Sequence, residues 1–158
     1  VDLQDAMFNG FSTISIDAKG RLAVPSRHRD QLSSDASNAL ILTLNPWDRC
    51  LWLYPRSEWE LIEEKLQALS DFDREARRTK QIIRGYATDC ALDGQGRVLL
   101  PNELRKFALL DKRVAFLGQG NKFEIWDEDT WNGQRDEWLE GVNDSSTSSS
   151  TVLSTLSL

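Results

Sequence analysis

The sequence predicts an α+β fold, mainly β, built from two internal repeats with helices added. Two observations carry this. Residues Ile14 to Arg29 recur at Cys90 to Arg105: Asp17, Gly20, Arg21, Pro25 and Arg29 return 76 positions later as Asp93, Gly96, Arg97, Pro101 and Arg105. Downstream, Leu51-Trp-Leu-Tyr54 followed by Trp59 returns as Phe123-Glu-Ile-Trp126 followed by Trp131, now at an offset of 72. Two aligned blocks in the same order define a duplicated unit.

Taken in order, residues 1–6 carry no periodic pattern and read as a leader, expected to be disordered, with Met7 a candidate original start. Phe8 to Ile16 and Leu22 to Val24 read as strands around the tight turn Asp17-Ala-Lys-Gly20. There the Asp side chain accepts backbone N–H bonds and the Gly takes φ > 0. Ser26 to Leu32 is a short helix with Ser26 as its N-cap. Ala39 to Leu44 and Cys50 to Tyr54 form a hairpin across Asn45-Pro-Trp-Asp48. Ser57 with Glu60 reads as a capping box, ahead of Trp59, Ile62, Leu66 and Leu69 at helical spacing. A second, highly charged helix runs from about Asp71 to Arg84, closed by Gly85.

The second copy then begins. Asp93-Gly-Gln-Gly96 is its turn, Lys112 to Leu117 and Lys122 to Trp126 its hairpin, and Thr130 to about Trp138 its helix. Gly133 weakens that helix by roughly 1 kcal/mol relative to Ala. The division expected is 7–84 for the first repeat with its two helices, 85–141 for the second, and 142–158 for a Ser/Thr-rich tail, either disordered or ordered against a neighbour.

With 158 residues, 40% apolar and 28% charged, the chain reads as soluble and globular. No apolar run approaches bilayer length, and no signal-peptide pattern is present, so the cytoplasm is the expected compartment. Cys50 and Cys90 lie far apart without metal-like spacing, and there is a single histidine, so neither a metal nor a cofactor is expected. Both thiols read as reduced, with a disulfide between them left open. The net charge of −6 counts against a freely diffusing nucleic-acid binder, but its distribution is lopsided. Ser12 to Arg29 holds four Lys/Arg and one acid, Arg74 to Arg84 five and one, Lys122 to Glu140 two and seven.

The sharpest candidate site is the first turn. Lys19, Arg21, Arg27 and Arg29 are read as surrounding it, with His28 among them. A two-stranded β-ribbon fits the major groove of duplex DNA. Arg can bridge two acceptors in a fixed fork, and Lys suits phosphate. Asp17, Gly20, Asp93, Gly96 and Arg97 are read as the structural part of the motif, each Arg bonding either its own Asp or that of the other copy. The tract Arg74 to Arg84 reads as a solvated or inter-subunit face, and the repeated aromatics as core. Catalysis is poorly supported: Asp17 and Asp93 each have an Arg nearby, and no P-loop or GxGxxG signature is present. Three classes compete: a DNA-binding regulator, a non-enzymatic oligomeric scaffold, and a small hydrolase using the two aspartates.

Met7-Phe-Asn-Gly10, the two D-x-x-x-R turns, Leu22-Ala-Val-Pro-Ser-Arg27 and Gly118-Gln-Gly-Asn-Lys-Phe-Glu-Ile-Trp126 together resemble the bacterial MraZ proteins, over about Met7 to Val142. The resemblance implies an AbrB-like swapped-hairpin fold, a pseudo-two-fold double-split β-barrel of two SpoVT-AbrB-like halves. It implies a ring-like homo-oligomer, associated with the nucleoid, that regulates transcription of the division and cell wall cluster, its own gene included. Its partner would be double-stranded promoter DNA with repeated sites, with no membrane or small-molecule substrate. Arg21 matches the motif arginine and Lys19 a basic position in the same turn. Two positions depart from the pattern: Asn9, where a basic residue is expected, and Gln95, where the second turn lacks the lysine.

Overall fold

A computed structural model describes residues 7–33, 39–143 and 149–158. Eight strands and six helices are assigned among them. The first repeat holds β1 (Phe11–Ser15), β2 (Arg21–Ala23), α1 (Ser26–Ser33), β3 (Ala39–Leu44), β4 (Leu51–Pro55), α2 (Arg56–Gln67) and α3 (Arg74–Ile83). The second holds β5 (Thr88–Ala91), β6 (Arg97–Leu99), α4 (Asn102–Phe107), β7 (Arg113–Gly118), β8 (Phe123–Asp127) and α5 (Glu128–Asn143), and is followed by α6 (Ser149–Thr155). The chain divides into two compact units, residues 1–127 and 128–158.

In the first unit the strands form one six-stranded sheet, β1-β7-β8-β4-β3-β5, and a two-stranded ribbon, β2-β6. Exchanging each strand for its repeat partner reads the same sheet order backwards, which is the pseudo-two-fold. The axis passes the Leu22↔Val98 pair of the ribbon and the Trp52↔Glu124 pair of β4 and β8. Each repeat lends its first strand to the other: β1 pairs with β7, and β5 with β3, all antiparallel. Both repeats therefore share one sheet.

Strand periodicity decides what is buried. Leu40, Leu42 and Leu44 of β3, with Leu51 and Leu53 of β4, join Val114, Phe116, Phe123 and Ile125 in the main core. Leu22 and Val98 close that core from the ribbon, and Leu32 and Leu104 from α1 and α4. The alternate residues Ile41, Trp52 and Tyr54 face the other way and pack with Trp59 and Leu66 of α2 and Ile83 of α3. Both faces of β3 and β4 are thus covered, so these strands read as continuous apolar runs. The repeated aromatics Tyr54, Trp59 and Trp126 are buried, as expected of core residues, whereas Trp47 and Trp138 are exposed.

Two local expectations are corrected. Helix α2 starts at Arg56, with Pro55 as an N-cap that makes no side-chain cap bond, so Ser57 lies inside the first turn and forms no capping box. Proline at φ −60° already presets the entry angle. Helix α5 runs for 16 residues, through both Gly133 and Gly141, and exceeds the span expected for it. Glu128 and Asp129 in its first turn favour its start electrostatically. The tail forms α6, while positions 144–148 and the leader at 1–6 lie outside the described residues. Among the described residues, no helix is long and apolar enough to cross a membrane.

Helix α3 uses its basic residues within the chain. Arg77 donates to the Asp71 carbonyl at 2.6 Å, and Lys80 to the Leu69 carbonyl and the Asp71 carboxylate at 2.7 and 2.8 Å. Arg84 pairs with Glu63 at 3.1 Å. Cys50 and Cys90 are free thiols, both shifted upward by burial, Cys90 to about 12.

Candidate nucleic-acid interface

Asp17 builds the first turn. Its Oδ1 accepts from the N–H groups of Lys19 and Arg21, both at 2.9 Å, and its Oδ2 from Arg21 Nε at 2.8 Å. The Asp17 N–H donates to the Arg21 carbonyl at 2.9 Å, and the Gly20 N–H to the Asp17 carbonyl at 3.0 Å. Gly20 sits at φ +84°, which closes the turn. Asp93 repeats the arrangement: Gln95 N–H, Arg97 N–H and Arg97 Nε all donate at 2.9 Å, with Gly96 at φ +74°.

The backbone N–H of Arg21 is the largest influence on the Asp17 carboxyl. With the Arg21 guanidinium and the Lys19 N–H, it outweighs desolvation and holds the group below the ordinary carboxylate range. Asp93 is lowered in the same way, led by the Arg97 N–H. Each Arg therefore serves its own turn and not the other copy's Asp. Both carboxylates are held ionised, which leaves neither poised as the acid of a hydrolytic pair.

The ribbon orients the two arginines. Arg21 pairs with Leu99, Leu22 with Val98 and Ala23 with Arg97. Leu22 and Val98 are fully buried. Side chains alternate along a strand, so Arg21, Ala23, Arg97 and Leu99 share the opposite, outward face. Leu99 is 56% exposed there. Strand spacing and rise set the Arg21 and Arg97 Cα atoms roughly 8 Å apart on the diagonal. Each guanidinium spends its Nε on its own Asp; no further side-chain bond ties either among the described residues. Lys19 is exposed at the tip of the first turn.

The remaining candidates lie elsewhere. Arg27 is exposed but turned to the start of β1, where its Nη2 donates to Ser12 Oγ at 2.7 Å and its Nε to His28 Nε2 at 3.2 Å. His28 is only 4% exposed, packed against Phe123 at 4.8 Å between ring centroids and near Phe8 and Phe116. Burial is the main cause of its lowered pKa, which favours the neutral ring. Arg29 donates through Nε to the Val24 carbonyl at 2.7 Å and lies directly beneath Gly96, the glycine of the second turn. In return Arg105 donates to the Leu100 carbonyl at 3.0 Å beneath Gly20. The expectation that Arg27, His28 and Arg29 surround the first turn is thereby corrected. The strand swap sends Arg29 to the opposite turn, and His28 belongs to the aromatic core.

Beside the first turn runs an open groove lined by Asp17, Ala18, Arg105, Asp111, Lys112 and Arg113. The Ile16 N–H donates to the Lys112 carbonyl at 2.8 Å, which fixes this neighbourhood.

Residues 7–82 and 83–152 each match the family model described as "MraZ protein, putative antitoxin-like". The chain belongs to the MraZ family. A relative from Thioalkalivibrio sulfidiphilus is 50% identical over 152 residues, covering 96% of this chain and all of that protein. One from Pseudomonas savastanoi pv. phaseolicola is 53% identical over 136 residues, covering 86% of this chain and 90% of its own. One from Pseudomonas fluorescens Pf-5 is 55% identical over 126 residues, covering 80% and 83%. Each of these is named "Transcriptional regulator MraZ". The α+β fold of two MraZ repeats is thus the architecture expected from the residues.

Within that MraZ frame, sequence reasoning missed that Arg97 faces the same way as Arg21, and that Arg105 supports the first turn. The signal for Arg105 was present: it repeats Arg29, and a swapped pairing of the repeats would have placed each beneath the other's glycine.

Proposed function

We propose that this chain is a DNA-binding transcriptional regulator whose contact surface is the outward face of the β2-β6 ribbon. The observation that carries this reading is the pair of guanidiniums, Arg21 and Arg97, set diagonally on the outward face of one two-stranded ribbon, with Lys19 exposed at the adjoining turn tip. A ribbon of this width enters a major groove. Each arginine is aimed by its own aspartate, so it arrives pre-oriented and loses little side-chain freedom on contact. Arg21 and Arg97 suit base edges, and Lys19 suits phosphate. Arg27, on α1 with its side chain turned to β1, is the candidate for an outlying phosphate. Arg29, like Arg105, acts by shaping a turn.

The targets in this reading are repeated sites upstream of the division and cell wall cluster, including the gene for this chain. A ring-like homo-oligomer in the nucleoid would array several ribbons along those repeats and raise affinity through effective concentration. The names of the relatives and the double family match support the regulatory role.

The test is binding to the DNA upstream of the chain's own gene, at two salt concentrations, for wild type and Arg21→Ala. Tight, salt-sensitive binding that the variant loses is the expected result. Binding no tighter than to scrambled DNA, with oligomers intact, would overturn the regulatory reading in favour of a scaffold.

A further inference from the structure

The two ends of the ribbon are related by the pseudo-two-fold, but their surroundings differ in charge. Beside the first turn, β7 begins with Arg113 directly opposite Ser15 of β1, and its Nη1 donates to Ser15 Oγ at 3.3 Å. Lys112 precedes it, exposed, with its carbonyl bonded to Ile16. The corresponding pairing beside the second turn is Ala39 opposite Ala91. The residue before Ala39 is Asn38, which lies outside the described residues. The cations Lys112 and Arg113 therefore have neutral counterparts. The tips differ likewise, Lys19 against Gln95. At these three positions the first end carries cations and the second carries none, and the acid of the first turn, Asp17, is paired with Arg21. Asp111 is the opposing charge on the groove wall.

We propose that Lys112 and Arg113 form a phosphate-binding strip, supplied by the second repeat to the first repeat's turn. This rests on the ribbon being the DNA-contacting surface. The duplex backbone lies along the groove between Ala18 and the start of β7, so one strand's phosphates are held at the first end. The pseudo-symmetric ribbon consequently docks in one orientation. Lys112 is a mobile point charge suited to phosphate. Arg113, steadied by Ser15, supplies a fixed fork. Such contacts carry no sequence information: they set register and orientation, while Arg21 and Arg97 face the bases.

The test compares wild type, Lys112→Gln, Arg113→Gln and the reciprocal gain variant Ala39→Arg by fluorescence anisotropy. The probes are the upstream DNA of the chain's own gene and a scrambled duplex, over a salt series. Each loss variant should weaken binding to both duplexes by the same factor and lower the slope of log affinity against log salt by about 0.9 per phosphate contact removed. The preference for upstream over scrambled DNA should be unchanged. Ala39→Arg should strengthen binding to both. Lys112→Gln breaks no side-chain bond within the described residues, so it separates charge from folding. Unchanged slopes in both loss variants, with wild type still preferring upstream DNA, would overturn the strip alone. A wild type with no such preference would overturn the ribbon reading on which the strip rests.

Discussion

Replacing Gly20 by Ala tests the interlock of the two repeats at one atom. Gly20 sits at φ +84°, and a Cβ built there lies 2.7 Å from Cζ of Arg105. Two costs arise. A non-glycine residue in the left-handed region costs about 1–2 kcal/mol. Arg105 must also move, and its Nε bond to the Leu100 carbonyl, 3.0 Å long, is a charge-assisted bond of about 1.5–3 kcal/mol. The sum is about 2.5–5 kcal/mol, a large share of a typical domain stability of about 5–15 kcal/mol. With a urea slope near 2 kcal/mol per M, the midpoint should fall by about 1–2.5 M at fixed protein concentration. Gly94→Ala is the control: nothing lies within 4 Å of its added Cβ, and the change should stay within about 0.5 kcal/mol. In an Arg105→Ala background the clash disappears, and Gly20→Ala should cost only the backbone strain of about 1–2 kcal/mol. An unchanged midpoint for Gly20→Ala, or the same cost in both backgrounds, would refute this reasoning.

The remaining predictions concern charge, contact and access. Arg97→Ala should weaken binding to upstream DNA about tenfold to a hundredfold while sparing scrambled DNA, matching Arg21→Ala; anisotropy competition checks it. The depressed pKa values of Asp17 and Asp93 stabilise the fold above the ordinary carboxylate pKa of about 3.9, and this contribution is lost as pH falls through their lower folded values. A carboxyl NMR titration should therefore show both still ionised at a pH where exposed aspartates are half protonated. Glu124 accepts the Trp52 and Trp126 indole N–H groups at 3.0 and 2.9 Å, so Glu124→Gln leaves one of them a poorer partner. It should cost about 1–3 kcal/mol, with a shifted tryptophan emission. Cys50, buried with a raised pKa, should resist thiol labelling at pH 8 in the native protein and label rapidly in urea.

Much of the fold was legible because period and punctuation agreed with the tertiary structure. The β3 strand matches Ala39 to Leu44 at both ends, since an apolar run bounded by Asn has few alternatives. The turn chemistry of Asp17 and Asp93 was legible because a side-chain acceptor four residues before its arginine can close locally. What failed was long-range. The sequence places Arg27, His28 and Arg29 a few residues from the first turn, but α1 carries them away from it. His28 reads as one of the residues around the first turn until Phe8 and Phe123, far apart in the chain, enclose it. Arg97 reads as structural until the ribbon register turns it outward beside Arg21.

The exchange of first strands also constrains how the chain is made. Ser15 of β1 meets its partner Arg113 only after 98 further residues have been synthesised. At about 5–20 residues per second, that is a wait of about 5–20 s during which β1 has left the ribosome without its neighbour. An unpaired strand in this interval invites capture by other nascent chains. The composition of β1 bears on this: Phe-Ser-Thr-Ile-Ser sets hydroxyl groups at three of its five positions, which moderates its stickiness. Substitutions in this segment that raise hydrophobicity should therefore lower soluble yield before they alter the folded protein.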